Sequence, residues 1–150
     1  RPFTFMEPHA LALAEDGALY VCDKKALRLH AFVARSGRLI WSKDMPCSSL
    51  ALSAPPAQRH LYVTSRWTGP ESKQHDPSRL HVLERAHGEV VSVTTFDQGR
   101  DAGQFEELHG IGVTKEGIAS SCPIFGGTGR RGKTFSQTTM TRGAEAFRSL

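Results

Sequence analysis

The chain has 150 residues, about the size of one domain, and carries a net charge of +4. This charge does not indicate a nucleic-acid partner, because residues 1–118 hold equal numbers of acidic and basic side chains and the whole excess lies in residues 119–150. No run of about 20 apolar residues is present, so we predict no membrane-spanning segment.

Four short runs with the alternating pattern of half-buried strands open the chain. They cover residues 10–13, 18–23, 27–33 and 38–42. Turn signals separate them, such as Glu15-Asp16-Gly17 between the first two runs, and the connections are short enough for hairpins. The pattern predicts a four-stranded antiparallel meander.

The same unit then returns. Residues 48–65 repeat the first two runs, residues 78–84 and 87–93 repeat the last two, and a third start follows at residues 108–118. The offset of about 40 residues is typical of propeller blades. Because one meander cannot bury both of its faces and several packed radially can, we predict an all-β protein. Its expected form is part of a β-propeller, with about two full blades and the beginning of a third.

The last part of the chain departs from this pattern. We expect residues 1–118 to form the partial propeller, residues 119–150 to be an irregular basic tail, and the whole to be a fragment of a longer protein. "GGTGRRGKTF" at residues 126–135 matches the phosphate-loop pattern, which needs a strand before it and a helix within a parallel sheet around it. Too few residues follow for the required βαβ units, so we do not predict nucleotide binding.

The blade openings carry a family resemblance. "PHALALAEDGALYVCD" at residues 8–23 and "GQFEELHGIGVTKEG" at residues 103–117 resemble the NHL-repeat propellers. Within that group they are most similar to the lyase domain of peptidylglycine α-amidating enzymes. Three features support the comparison: a histidine at two blade openings, a long polar loop at residues 66–77, and "HGEVV" at residues 87–91.

The resemblance implies a zinc-dependent lyase that acts on a peptide substrate. Its reaction splits a peptidyl-α-hydroxyglycine into an amidated peptide and glyoxylate. His9 and His109 would be two of three zinc ligands, the third lying on a blade that precedes Arg1. A tyrosine base and a substrate-binding arginine are also implied, but neither Tyr20 nor Tyr62 matches the motif. The family implies a secretory or extracellular location.

Some positions depart from the family pattern. Gly110 stands where the family has an aspartate that helps to bind a structural calcium, so the resemblance does not carry that site over. Tyr20 and Ala31 occupy the places of a family disulfide. The three cysteines are too few and too scattered to predict a disulfide framework or a C-x-x-C zinc site.

Two alternatives stay open at this stage. His9 and His109 could be rim residues that occur at equivalent places through repeat inheritance alone. In that case the chain would belong to a non-catalytic NHL propeller that binds a protein partner. His30 and His81 also repeat, and the alternation of their strands places them on a solvent-facing row. Trp41 is expected to pack within the blade.

Overall fold

A computed structural model describes residues 3–65, 77–98, 104, 108, 110–114 and 117–119 of the chain. All regular elements in these residues are β-strands. The first sheet has the order β1-β2-β3-β4 and every neighbouring pair is antiparallel. Its strands are β1 (Pro8–Leu13), β2 (Ala18–Asp23), β3 (Arg28–Val33) and β4 (Arg38–Asp44).

The second sheet repeats this arrangement, with the order β5-β6-β7-β8. An antiparallel pair, β9 with β10, follows it. The described residues include no helix that is both long and apolar enough to cross a membrane. The remaining strands are β5 (Ser49–Leu52), β6 (His60–Ser65), β7 (Ser78–Glu84), β8 (Glu89–Phe96), β9 (Gly112–Thr114) and β10 (Gly117–Ala119).

The two sheets share the same internal register. Tyr20 pairs with Ala31 in the first sheet, and Tyr62 pairs with Val82 at the equivalent place in the second. Each sheet also has an irregularity at the same point of its last strand pair, after Ala31 and after Val82. The meander and the repeat predicted from the sequence are therefore confirmed.

The core lies between the two sheets, which pack face to face as consecutive propeller blades. The first sheet presents mostly small residues together with Tyr20 and Leu29, and the second sheet presents larger aliphatic ones, among them Leu61 and Leu83. The opposite face of the second sheet packs against β9 through a second cluster. That cluster contains Tyr62, Leu80 and Val82, with Ala51, Phe96, Ile111 and Val113 against them.

Polar contacts fasten the ends of the first two sheets together. The Glu15 N–H donates to Gln58 Oε1 at 2.9 Å, which joins the β1–β2 turn to the β5–β6 turn. The Trp41 Nε1–H donates to the Arg85 carbonyl oxygen at 3.1 Å. Trp41 also packs against the core cluster, as the sequence predicted.

The long loop and the tail fall mainly outside the described residues. This holds for residues 66–76, for the phosphate-loop match at 126–135 and for the rest of the predicted tail from residue 120 onward. The predicted boundary between residues 1–118 and 119–150 therefore stays a prediction.

Candidate functional site

His9 lies near the start of β1, where the first strands of the two sheets run side by side. Its Nδ1 atom is 2.7 Å from the carbonyl oxygen of Ser48, which lies directly before β5. Since a carbonyl oxygen can only accept, the imidazole donates from Nδ1. Ser48 is the residue equivalent to His9 one repeat later, so equivalent positions of neighbouring blades meet at this end of the sheets.

Asp23 fixes the backbone that leads into His9. Its buried carboxylate accepts hydrogen bonds from the N–H groups of Met6 at 2.8 Å and Glu7 at 2.7 Å. Burial alone would raise the pKa of Asp23, but these bonds and a third from the Ala26 N–H outweigh it, so the pKa lies below its ordinary value. An ionised, fully bonded carboxylate thus holds the segment immediately before Pro8 and His9.

His109, the second residue expected to bind zinc, lies outside the described residues. Its neighbour Leu108 is buried, and the Leu108 N–H donates to Ser78 Oγ at 3.2 Å. Within the part of the chain that is described, no three His, Cys, Asp or Glu side chains lie close enough together to hold a metal ion. The juxtaposition of His9 and His109 therefore stays a prediction.

The two tyrosines of the chain are both buried between sheets. The Tyr20 hydroxyl lies 3.3 Å from an Arg85 guanidinium nitrogen, and burial raises the pKa of Tyr20 despite that cation. Tyr62 packs in the cluster between the second sheet and β9, and burial raises its pKa as well.

The expectation that His30 faces solvent is wrong. His30 is only 2% exposed, because Phe3 and Phe5 from the N-terminal segment lie against its ring at centroid distances of 4.7 and 5.8 Å. The alternation of β3 correctly predicts that His30 lies on the face of the sheet opposite to the core. It does not predict that aromatic rings cover that face. Burial lowers its pKa, and Nδ1 has no hydrogen-bond partner among the described residues.

His81, the equivalent residue of the second sheet, is half-buried rather than exposed. Its Nε2 lies 3.1 Å from Ser65 Oγ, and burial lowers its pKa. Ser65 occupies the place that Asp23 has in the first sheet, two positions after the residue that pairs with the histidine. Both repeats thus set a polar side chain beside this histidine.

A disulfide joins Cys22 near the end of β2 to Cys47, which lies two residues before β5. Their Cα atoms are 5.7 Å apart, which is an ordinary separation for a disulfide. The sequence did not predict this bond, because three scattered cysteines do not form the framework of several bridges that indicates disulfides. The repeat itself could have predicted the disulfide, because it brings the end of β2 close to the segment that begins the next blade.

Comparison with known proteins adds little to this description. No protein-family model and no curated protein matches the chain. Among solved structures it is similar to a protein of unknown function from Bacteroides caccae, with 21% identity over 79% of this chain and 40% of that one, and a TM-score of 0.48. It is also similar to BamB from Moraxella catarrhalis, with 12% identity over 76% of this chain and 46% of that one, and a TM-score of 0.36. The chain thus spans less than half the length of either protein.

Proposed function

We propose that this chain contributes His9 and His109 to the zinc site of a lyase resembling the peptidyl-α-hydroxyglycine α-amidating lyases. The observation that supports the proposal is the 2.7 Å contact between His9 Nδ1 and the Ser48 carbonyl oxygen. A metal-binding histidine commonly donates its other ring N–H to a backbone carbonyl, which fixes the tautomer and turns the remaining nitrogen into the ligand. In His9 that ligand atom is Nε2.

The substrate of such a site is a peptide that ends in α-hydroxyglycine. In the reaction the hydroxyl loses its proton, the carbon–oxygen bond becomes the carbonyl of glyoxylate, and the bond from that carbon to the peptide nitrogen breaks. The nitrogen leaves as the peptide amide after taking up a proton. A bound zinc supplies Lewis acidity toward the hydroxyl oxygen. Because Tyr20 and Tyr62 are buried between sheets, the proton acceptor is a group other than these two.

The disulfide supports the location that goes with this proposal. Disulfides persist mainly in secreted proteins and in oxidising compartments. The Cys22–Cys47 bond is therefore consistent with a chain that acts in the secretory pathway or outside the cell, where peptide amidation would take place.

A zinc titration of a protein that carries this chain together with the third ligand, which the resemblance places before Arg1, tests the proposal. Competition with a chromophoric chelator should give binding of about one zinc per molecule. His9→Ala and His109→Ala should each weaken that binding by tenfold or more, since each removes one ligand. His87→Ala is the matched control because His87 lies on the exposed β7–β8 turn. Equal zinc binding by all four proteins would overturn the proposal.

A second candidate is a non-catalytic propeller that binds a protein partner. It is favoured by the same contact of His9 with the Ser48 carbonyl oxygen, since a rim histidine is satisfied by a hydrogen bond of this kind. The same titration separates the two candidates, since a scaffold of this kind should bind no zinc at His9.

A further inference from the structure

The disulfide and His9 lie at the same end of the first sheet. In the pairing of β1 with β2, Ala10 lies opposite Cys22. Pro8 lies opposite Asp23, and the register shifts between the two pairs, so His9 is an extra residue on β1. Such bulges often re-aim a side chain beside a functional site. The backbone of His9 is therefore held against the strand segment to which the disulfide is attached.

The other half of the disulfide lies beside the hydrogen-bond acceptor of the His9 ring. Cys47 is followed directly by Ser48, whose carbonyl oxygen lies 2.7 Å from His9 Nδ1. The Ser48 N–H donates to the Thr64 carbonyl oxygen at 2.7 Å, which attaches Ser48 to the second sheet. One covalent bond thus connects the strand beside the imidazole donor with the residue that precedes its acceptor.

Non-covalent contacts join the two sheets at the opposite end. There the Glu15 N–H donates to Gln58 Oε1, which lies in the β5–β6 turn. The Trp41 Nε1–H donates to the carbonyl oxygen of Arg85, which lies in the β7–β8 turn. If the disulfide opens, this turn end stays fastened, whereas the end that holds His9 loses its covalent connection.

We infer that the Cys22–Cys47 disulfide is the positioning bond for His9, so that the state of the His9 ring depends on the redox state of these cysteines. While the bond is closed, the imidazole is held on the Ser48 carbonyl oxygen with its proton on Nδ1. A dithiol opens the bond: the disulfide takes up two electrons and two protons and becomes two thiols, and the dithiol becomes a disulfide. The two segments then separate and the ring is released.

The repeat provides a variant that removes the bond and keeps the interface filled. Thr64 of the second sheet stands at the place of Cys22, and Leu108 of the third unit stands at the place of Cys47. Both side chains are 1% exposed, so the chain accommodates them at the equivalent positions without a disulfide. Cys22→Thr with Cys47→Leu is therefore the test variant. It has no thiol at either place that could bind zinc itself.

Nitrogen NMR of the His9 ring in the full chain, without metal, provides the test. In the oxidised natural chain we expect a single tautomer protonated at Nδ1. In the double variant, and in the natural chain reduced with dithiothreitol, the Nδ1 proton should exchange with solvent faster by about tenfold or more. The His81 ring, bonded to Ser65, reports whether the second sheet stays folded. Gln58→Ala is the control, since it loosens the turn end and should leave the His9 proton unchanged.

Unchanged exchange of the His9 proton in both the double variant and the reduced chain would overturn the inference. So would an equal acceleration in Gln58→Ala, since the disulfide would then act only through overall stability.

The effect on metal binding rests on the proposed zinc site, but the NMR readout uses no zinc and decides the inference even where the titration above rejects that site. In the protein used for the titration, the double variant should bind zinc more weakly by about tenfold or more, because His9 loses its outer hydrogen-bond partner. Equal zinc binding with and without the disulfide would overturn the inference and leave the proposed zinc site standing.

Discussion

The Arg85 guanidinium binds the Asp16 carboxylate through two hydrogen bonds of 2.9 and 2.7 Å. Arg85 lies at the β7–β8 turn and Asp16 at the β1–β2 turn, so the pair fastens the second sheet to the first. The hydrogen bond from Arg85 is the main cause that lowers the pKa of Asp16. This ion pair acts between blades, in contrast to the exposed pair of Arg28 with Asp44, which lies within one sheet.

We predict that Arg85→Ala lowers the free energy of unfolding by about 1 kcal/mol, since two-point pairs between Arg and carboxylate exceed ordinary surface pairs only modestly. Because the pKa of Asp16 is lowered in the folded state, the contribution is present above about pH 4 and is lost as the pH falls through the folded pKa. Urea unfolding at pH 7 and pH 3 checks both statements. Arg28→Ala is the control and should lower the free energy of unfolding by less. An equal loss in the two variants would contradict a role of Arg85 between the blades.

Gly88 should tolerate substitution less well than Gly37. Both glycines end equivalent turns with positive φ, 72° and 67°, so alanine is strained by about 1 kcal/mol at either place. Only at Gly88 would the added Cβ also meet the Trp41 ring, at 3.1 Å, whereas open space surrounds Gly37. We therefore expect Gly88→Ala to lower the unfolding free energy by about 2 kcal/mol and Gly37→Ala by about half of that. An equal loss of unfolding free energy in the two variants would contradict the close contact between Trp41 and the turn at Gly88.

The disulfide should contribute substantially to stability. Cys22 and Cys47 are separated by 25 positions in the chain, and closing a loop of that size stabilises by about 3 kcal/mol. Cys47→Ser should therefore lower the unfolding midpoint strongly, and a reducing agent should destabilise the natural chain but not the variant. Thiol titration of the unfolded, unreduced protein should detect about one free thiol among the three cysteines. Three free thiols would contradict the bond.

Stability should also fall in mild acid because of His30. Burial lowers its pKa below the ordinary value of about 6.5, so the unfolded chain takes up a proton more readily. The contribution is complete above about pH 6.5 and is lost as the pH falls from there toward the folded pKa. Of the charged groups that act on His30, Asp23 and Asp44 raise its pKa and Arg28 lowers it, and none of them titrates in this range.

Urea midpoints at about pH 7.5 and 5.5 measure this effect. His30→Phe, which suits the ring contacts with Phe3 and Phe5, should reduce the drop between the two pH values. His87→Gln, on the exposed turn, should leave it unchanged. If His30→Phe retained the full pH dependence, the loss of stability in mild acid would have to be assigned to another group, such as His81.

Much of the fold follows from the sequence because strand alternation and turn residues are local signals. β2 and β7 have the predicted bounds, and the repeat of Leu11-Ala12-Leu13 as Leu50-Ala51-Leu52 predicts that one sheet packs against the next. What the sequence could not supply are contacts between distant segments. The cover that Phe3 forms over His30 and the bond between Cys22 and Cys47 both depend on how neighbouring units meet in space.

The candidate site was predictable only in part. The position of His9 at a blade opening is a sequence signal, but its partner is a backbone carbonyl, and backbone groups carry no sequence signature. Ser48 could be identified as the repeat equivalent of His9, yet only the structure brings its carbonyl oxygen to the imidazole. The hydrogen bond of the His9 ring thus comes from tertiary geometry.

The most direct test of the proposed zinc site is nitrogen NMR of the His9 ring in the full chain, with the signals assigned by comparison with His9→Ala. We predict that Nδ1 carries the proton, bonded to the Ser48 carbonyl, and that added zinc shifts the Nε2 resonance while Nδ1 stays protonated. A ring protonated at Nε2, or an Nε2 resonance that zinc does not move, would contradict it.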